Sequence, residues 1–405
     1  MRRAKIASVG CGIVARRWHL PTIAELAKHG DIEHVAICDM DKAIAREVGQ
    51  EYGVPHYTNV EEMLDRHPDT DVLDIATGDY THHVIAKMAA ERKVHVLVEK
   101  PMAPTLALCD FIIDSCQKNG VHYEVAENYF RMPGDRVINK LITEGILGDI
   151  RRVHFVEPFR QLPYVKDAGK PRGIESPVSY FRAHSGICID MGVHRMSQLR
   201  LAANSEPKKI VAITKQFNPG EDKVFEDFGH AMLEFESGAV GVYETSLVGE
   251  QPMKYRHISG TKGNILDLDY FKPDYKLRLE VKGEMQDVPI ERQTHSVNGM
   301  RVLTRLVVHT EPEIVYENPF RGYAIDDWNI GTAEEIMTIA NAAVNDTEPE
   351  YGIGGRKDVE LCIALYESSL QGMMPVELPI TQMTQYEQMV YDDYRAAYGL
   401  RPDEV

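Results

Sequence analysis

The 405-residue chain lacks features that would place it in several broad classes. Its six cysteines are scattered with no Cys-x-x-Cys pair, so zinc ribbons and redox dithiols are not expected. Free thiols in a reducing cytoplasm are the simpler expectation. Positive charge is short: 45 Lys and Arg against 62 Asp and Glu give a formal net charge of −17. Nucleic-acid surfaces concentrate Lys and Arg, and anionic membranes attract them, so neither is expected as a partner. No apolar run approaches membrane-spanning length. Met1-Arg2-Arg3 leads into a strand pattern rather than a long apolar stretch, so no secretory or twin-arginine signal is read. Low-complexity segments and short internal repeats are missing too. What remains is a globular composition, in a chain long enough for two full cores.

What is present begins at once. An apolar strand pattern from Lys5 runs into Gly10-x-Gly12-x-x-Ala15. Gly10 allows a tight strand-to-helix turn, Gly12 lets the backbone approach a pyrophosphate, and Ala15 lets the helix pack on the strand. The helix N-terminus then offers backbone N–H groups to phosphates. A helical stretch from Val14 to Lys28 and a second strand, Glu33 to Asp39, follow. Asp39 stands where an acid accepts the ribose hydroxyls of a dinucleotide. Its neighbours Met40 and Asp41 offer no cation to a 2′-phosphate, so NAD is expected over NADP. The plain alternative is an ordinary strand–turn–helix with Asp39 as a loop acid.

The first third alternates strands and helices. Strands are expected at Asp71–Ala76, Val94–Glu99 and Val121–Ala126, with helices at Asp41–Tyr52, Val60–Arg66, Thr81–Glu91 and Thr105–Asn119. That alternation predicts a parallel, doubly wound α/β sheet, buried on both faces. After Arg151, strand patterns dominate: Arg152–Val156, Lys209–Phe217, Phe228–Phe235, Ala239–Leu247, Tyr255–Ser259 and Tyr275–Val281. Ser237-Gly238 reads as a hairpin turn. Helices are expected at Met132–Glu144, Met191–Ala203, Thr332–Ala343, Arg356–Gln371 and Met383–Tyr398. The expected architecture is therefore an α/β domain, residues 1–125, and an α+β domain, residues 126–405, with a large, mostly antiparallel open sheet. Residues 160–180 and 284–325 show weak periodicity and read as long loops.

Three segments carry chemistry. Glu99-Lys100-Pro101 follows a strand, where ligands of parallel sheets lie. Lys100 there points at the nicotinamide end of a dinucleotide, or else pairs with Glu99 on the surface. Asp190 and His194 are four apart, which on one helix places both on one face. His194 is then a candidate general base and Asp190 a residue that orients it or binds a hydroxyl. The same pair could be a helix N-terminal acid and a partly buried histidine; no third ligand in the segment supports zinc. Thr77-Gly-Asp-Tyr-Thr-His82 should form a loop over the cofactor, with His82 at a helix start.

Taken together, these segments resemble the glucose–fructose oxidoreductase / inositol dehydrogenase / rhizopine-catabolism family over nearly the whole chain. The resemblance rests on Val9 to Ala15, His19-Leu-Pro21, His82, Val94 to Pro101, Glu127-Asn128 with Arg131, Gly186 to His194, and Tyr366-Glu-Ser368 ahead of Val376-Glu-Leu-Pro379. It implies a nucleotide domain of Rossmann type and a second domain whose open sheet is an oligomer interface. Lys100, Asp190 and His194 match the family's catalytic lysine, aspartate and histidine. Gly10, Gly12, Ile13, Val14, Asp39, Thr77, His82, Glu99, Lys100 and Asn128 fall on its cofactor-binding positions. No metal is implied. One departure is Thr77-Gly78, where the family has Thr-Pro.

The expected activity is hydride transfer between NAD and a secondary alcohol of a sugar, sugar derivative or cyclic polyol. His194 is the base, Lys100 stabilises alkoxide, and Asp190 holds an adjacent hydroxyl or orients the base. The alternatives are an NAD-recycling glycoside hydrolase and a ligand-sensing regulator without catalysis. A homodimer or homotetramer is expected, with Val240, Val242 and Leu247 meeting a symmetry mate.

Overall fold

The computed structural model describes residues 2–158, 186–217, 226–247, 254–267, 276–281, 283–399 and 401. The segment 160–180, expected as a loop, lies outside them, as does Tyr275.

The first sheet is built from β1 (Ala4–Val9), β2 (Ile32–Cys38), β3 (His56–Tyr57), β4 (Val72–Ile75), β5 (His95–Glu99) and β6 (Tyr123–Ala126). All pairings are parallel, in the order β3-β2-β1-β4-β5-β6. This is the doubly wound nucleotide-binding order, and its topological switch point falls between β1 and β4. The connecting helices are α1 (Leu20–His29), α2 (Lys42–Tyr52), α3 (Val60–Arg66), α4 (Asp79–Glu91) and α5 (Leu106–Asn119). Local chemistry sets their ends. Asp41 caps α2 by accepting from the N–H groups of Ala43 and Ile44, and Thr105 caps α5 through Leu108. Gly30, Gly53 and Gly120 end α1, α2 and α5 in left-handed conformation.

The helix expected from Val14 is not uniform. A π-helical turn, Ala15–His19, precedes α1. Pro21, in the first turn of α1, has no N–H to give to the carbonyl one turn back, which disfavours regular α-helical bonding there.

α6 (Pro133–Thr143) leads into a nine-stranded sheet whose order is β14-β13-β12-β11-β7-β10-β9-β8-β18. Its strands are β7 (Ile150–Pro158), β8 (Pro207–Lys215), β9 (Phe228–Phe235), β10 (Val240–Ser246), β11 (Tyr255–Gly260), β12 (Gly263–Asp267), β13 (Lys276–Val281), β14 (Glu284–Val288) and β18 (Val376–Glu377). The β7–β10 pairing is parallel and the others antiparallel. Gly238, at φ +81°, turns β9 into β10 at the expected hairpin. One face of the sheet is covered by α8 (Gly192–Ala203) and α10 (Gly352–Leu370). Leu247, expected on the outer face, packs against the core instead.

The loop expected over 284–325 is corrected. β14 is part of the large sheet, and β15 (Ile290–Val297), β16 (Met300–Val308) and β17 (Ile314–Glu317) form a separate antiparallel sheet. β14 and β15 bury neither face well, so no apolar alternation marks them. The turn between β15 and β16 is Asn298-Gly299, both at positive φ, a hairpin signal that was legible.

α9 (Asp327–Asn345) returns to the first sheet and packs on β1, β4, β5 and β6. Ile330, Ala333, Ile336 and Ile339 are buried there. The chain closes with α11 (Gln385–Tyr398), held by a Thr384–Glu387 capping box. Glu387 also accepts from Leu106 N at 2.9 Å, tying this helix to the start of α5. No described helix is long and apolar enough to cross a membrane.

Candidate active site

The glycine turn closes the end of β1. Gly10 has φ +89°, and a Cβ on it would sit 2.4 Å from the Ala76 carbonyl oxygen, so glycine is required by the fold itself. Gly12 differs: a Cβ there would meet nothing within 4 Å. Ile13 beside it is 54% exposed. The turn thus leaves an open cradle at a helix start, which fits a pyrophosphate. Asp39 binds this turn from the end of β2. Its Oδ2 accepts from Cys11 N and its Oδ1 from Asp41 N, each at 2.8 Å.

The loop after β4 is pinned from within. Thr81 Oγ1 donates to the Gly78 carbonyl and accepts from the Thr77 hydroxyl, both at 2.7 Å. His82 is buried, with Nδ1 3.2 Å from the Met102 carbonyl and Nε2 3.2 Å from that of Thr77. It clasps the β4 loop to the segment after Lys100. Burial pushes its pKa down, against the two carbonyls.

Glu99 and Lys100 part company. Glu99 turns inward, accepting from His19 Nε2 at 2.9 Å and from the Lys100 N–H at 2.8 Å. His19, from the π turn, meets Asp74 through Nδ1 at 2.9 Å. Burial alone would lower the His19 pKa, but Asp74 and Glu99 override it and hold the pKa well above the usual imidazole range. The Lys100 ammonium goes elsewhere: it donates to the Asp190 carbonyl at 2.9 Å and to Asp190 Oδ1 at 3.1 Å. The alternative of a surface Glu99–Lys100 pair is therefore not what the structure contains. Lys100 also holds the Asp190 carboxyl below its ordinary pKa.

Asp190 and His194 do not share one continuous helix. Asp190 ends the short α7 (Ile187–Asp190), Met191 intervenes, and His194 lies in the first turn of α8. The orienting partner of His194 is not Asp190 but Glu127, which follows β6. His194 Nδ1 is 2.8 Å from both Glu127 carboxyl oxygens. Tyr129 stacks on the imidazole, centroids 3.8 Å apart and planes within 5°. Burial, then Lys100 and Arg195, push the His194 pKa well below 6.5, so the ring is neutral. Burial pushes the Glu127 carboxyl up to about 8. Behind the histidine, Arg195 pairs with buried Glu157 of β7, and Gln198 donates to Asp135 of α6 at 2.8 Å, locking α8 to the sheet and to α6.

The Asn128 amide lies 3.4 Å from Thr332 Oγ1 on α9. Sequence reasoning gave no role to Glu127, Tyr129, His19, Trp18 or Trp328. Trp328, on α9, meets Trp18 at 6.1 Å and Tyr129 at 5.0 Å. Glu127 had a signal: it is the residue directly after a parallel strand, at the sheet's ligand edge. The aromatic contacts had none, because they join segments far apart in the chain.

A dinucleotide turn with a lysine, two carboxylates and a neutral histidine gathered at the same sheet edge is the arrangement of a nicotinamide-dependent oxidoreductase. Comparison with known proteins agrees. Residues 4–127 match the oxidoreductase family with an NAD-binding Rossmann fold, and residues 136–266 match the GFO/IDH/MocA C-terminal domain. The chain belongs to the GFO/IDH/MocA oxidoreductase family, whose dehydrogenases and reductases act on CH–OH groups.

Among its relatives is a D-apiose dehydrogenase from Paraburkholderia graminis, 27% identical over 282 residues, 67% of this chain and 69% of that one. A levoglucosan dehydrogenase from Pseudarthrobacter phenanthrenivorans is 32% identical over 253 residues, 57% of this chain and 63% of that one. A solved levoglucosan dehydrogenase in complex with NADH and levoglucosan covers 94% of this chain and 100% of its own, with a TM-score of 0.73 at 20% identity. The WlbA dehydrogenase of Bordetella pertussis, in complex with NADH and UDP-GlcNAcA, matches with a TM-score of 0.69 at 20% identity over the same shares. These structural likenesses speak for the fold.

Proposed function

We propose that the protein transfers hydride between NAD and a secondary alcohol of a sugar, sugar derivative or cyclic polyol. The observation that carries this reading is the convergence of Lys100, Asp190 and a Glu127-held His194 at the edge where the glycine turn opens. When bound, NAD supplies the hydride acceptor; the protein supplies the rest. His194 Nε2 takes the hydroxyl proton, the ring being neutral and its other nitrogen already bonded. The Lys100 ammonium stabilises negative charge as it develops on the same oxygen. Asp190 holds Lys100 in place and offers its remaining carboxylate oxygen to a neighbouring hydroxyl. Gly10, Gly12, Ile13 and Val14 hold the phosphates, Asp39 the adenosine ribose, and Thr77, Glu99 and Asn128 shape the nicotinamide end.

NAD is favoured over NADP because Asp39 would repel a 2′-phosphate and exposed Met40 offers it nothing. The relatives named above are dehydrogenases, which supports net oxidation rather than NAD-recycling hydrolysis. Their substrates head the panel that tests the proposal. D-apiose, levoglucosan, inositols and aryl glycosides are each incubated with NAD or NADP, and NADH absorbance and products are followed together. NADH formation with one of the alcohols is expected. Aglycone release without NADH would sink the dehydrogenase reading, and equal kcat/KM with NADP would sink the cofactor preference.

A further inference from the structure

The acid behind His194 has no place in the roles given so far to Lys100, Asp190 and His194. We propose that Glu127 is the positioning residue of the reaction, fixing the His194 tautomer and receiving through the ring the proton that leaves the substrate hydroxyl. The inference rests on the alcohol-oxidation reading above.

Three observations carry it. Both Glu127 oxygens lie 2.8 Å from His194 Nδ1, a single ring nitrogen. Once ionised, a carboxylate can only accept, so Nδ1 then carries the proton and Nε2 is left as a bare base. The ring cannot turn away, because Tyr129 lies flat on it and Arg195 lies on the Tyr129 ring, 4.8 Å from its centroid. Glu127 is itself held, its Oε1 accepting from Tyr129 N at 3.1 Å, and it is 1% exposed. Water therefore cannot replace it as the proton's destination.

The step balances. The substrate O–H breaks and its proton goes to Nε2, while the Nδ1 proton passes to Glu127. The substrate C–H bond breaks with both electrons leaving as hydride, and the C=O bond forms. One proton ends on Glu127 and two electrons on the nicotinamide. In ketone reduction the same protons run backward.

The charged groups around the pair set its pH dependence. Lys100 and Glu99 face it from the end of β5, Asp190 from α7, Arg195 from α8 and Glu335 from α9. Asp358 and Cys362 of α10, with Tyr351 before it, face Glu127. Lys100 and Arg195 oppose an imidazolium; burial, with Glu99 beside it, opposes a Glu127 carboxylate and raises its pKa to about 8. Below that pH Glu127 keeps its proton and donates it to Nδ1, leaving Nε2–H, an acid and not a base. Oxidation should thus rise with pH through about 8, set by Glu127 rather than by an imidazolium.

The test uses the full-length protein and two variants, Glu127→Gln and Glu127→Asp. The first readout needs no substrate: ¹⁵N-histidine NMR of His194, assigned with His194→Asn. Wild type should switch from Nε2–H to Nδ1–H as pH rises through about 8, and Glu127→Gln should not switch. A ring that stays Nε2–H in wild type over that whole range overturns the proposal, whatever the substrate proves to be. The second readout is oxidation of whichever panel alcohol yields NADH. Glu127→Gln should lose about 10²–10⁴-fold in kcat and the limb near pH 8, with NADH affinity kept. Glu127→Asp should restore part of both. Wild-type kcat and pH profile in Glu127→Gln would overturn the proposal. A variant that binds NADH normally has folded, so a loss of kcat cannot be put down to misfolding.

Discussion

Lys100 and Asp190, 90 residues apart in the chain, meet through two hydrogen bonds from one ammonium, at 2.9 Å to the carbonyl and 3.1 Å to the carboxylate. The bond to the main chain fixes where α7 ends relative to β5, and the bond to the side chain leaves one carboxylate oxygen for a ligand. Lys100→Met should therefore lower kcat by about 10²–10⁴-fold while leaving NADH affinity near wild type. Stopped-flow hydride transfer and equilibrium NADH titration separate the two. A Lys100→Met enzyme with wild-type kcat would remove the lysine from the chemistry.

The two glycines of the turn should fail in different ways. Gly12→Val meets no protein atom near its Cβ, so thermal stability should hold while NAD binding is lost. Gly10→Ala meets the Ala76 carbonyl and needs φ +89° from a residue with a Cβ, so it should destabilise by about 1–3 kcal/mol. Calorimetric Tm and NAD titration for both variants check the contrast; a stable Gly10→Ala or an NAD-binding Gly12→Val contradicts it.

His19 stands between Asp74 and Glu99 with its folded-state pKa raised. Its unfolded value is about 6.5. A raised folded pKa means that the stabilisation is full below about 6.5 and is lost as pH climbs toward the folded value. Urea unfolding of wild type should weaken from neutral to alkaline pH, and His19→Gln should flatten that slope. Parallel pH profiles for the two proteins would show that the histidine contributes none of it.

The chain has two tryptophans, and they face each other at 6.1 Å between the π turn before α1 and α9. Tryptophan emission should fall on NADH addition, with energy passed to the bound nicotinamide. Trp18→Phe and Trp328→Phe should each keep part of the quench. Unchanged emission at saturating NADH would contradict a site at this edge.

The outer face of the large sheet carries Met232, 53% exposed, opposite Val242, with Val240, 39% exposed, on the same face. We expect it to pair with a second copy, so that wild type scatters light as a dimer or tetramer. Met232→Glu with Val240→Glu should shift the mass toward monomer. A wild-type monomer at micromolar concentration refutes this.

The first sheet was legible because its strands are largely buried on both faces, so they carry apolar runs such as Val96 to Val98. β15 was not, because residues such as Glu291, Arg292 and Gln293 turn polar groups out on both sides; only Asn298-Gly299 betrays the hairpin. Lys100, Asp190 and His194 stood out in the sequence as candidates, and the structure brings them together. The Asp190–His194 spacing misled on how: a helix break at Met191 separates them, and the histidine's partner comes from 67 residues upstream. No local pattern encodes a contact over that distance.

α9 has a consequence for anyone cutting the gene. It lies far along the chain, yet it covers the underside of β1, β4, β5 and β6. A fragment holding residues 1–125 alone would keep the nucleotide turn and every strand of the first sheet up to Val125. It would also bring a bare apolar floor into water, where Ile330, Ile336 and Ile339 had lain. The nucleotide half of this protein is contiguous in sequence but not self-sufficient, and a soluble excised version needs α9 grafted back.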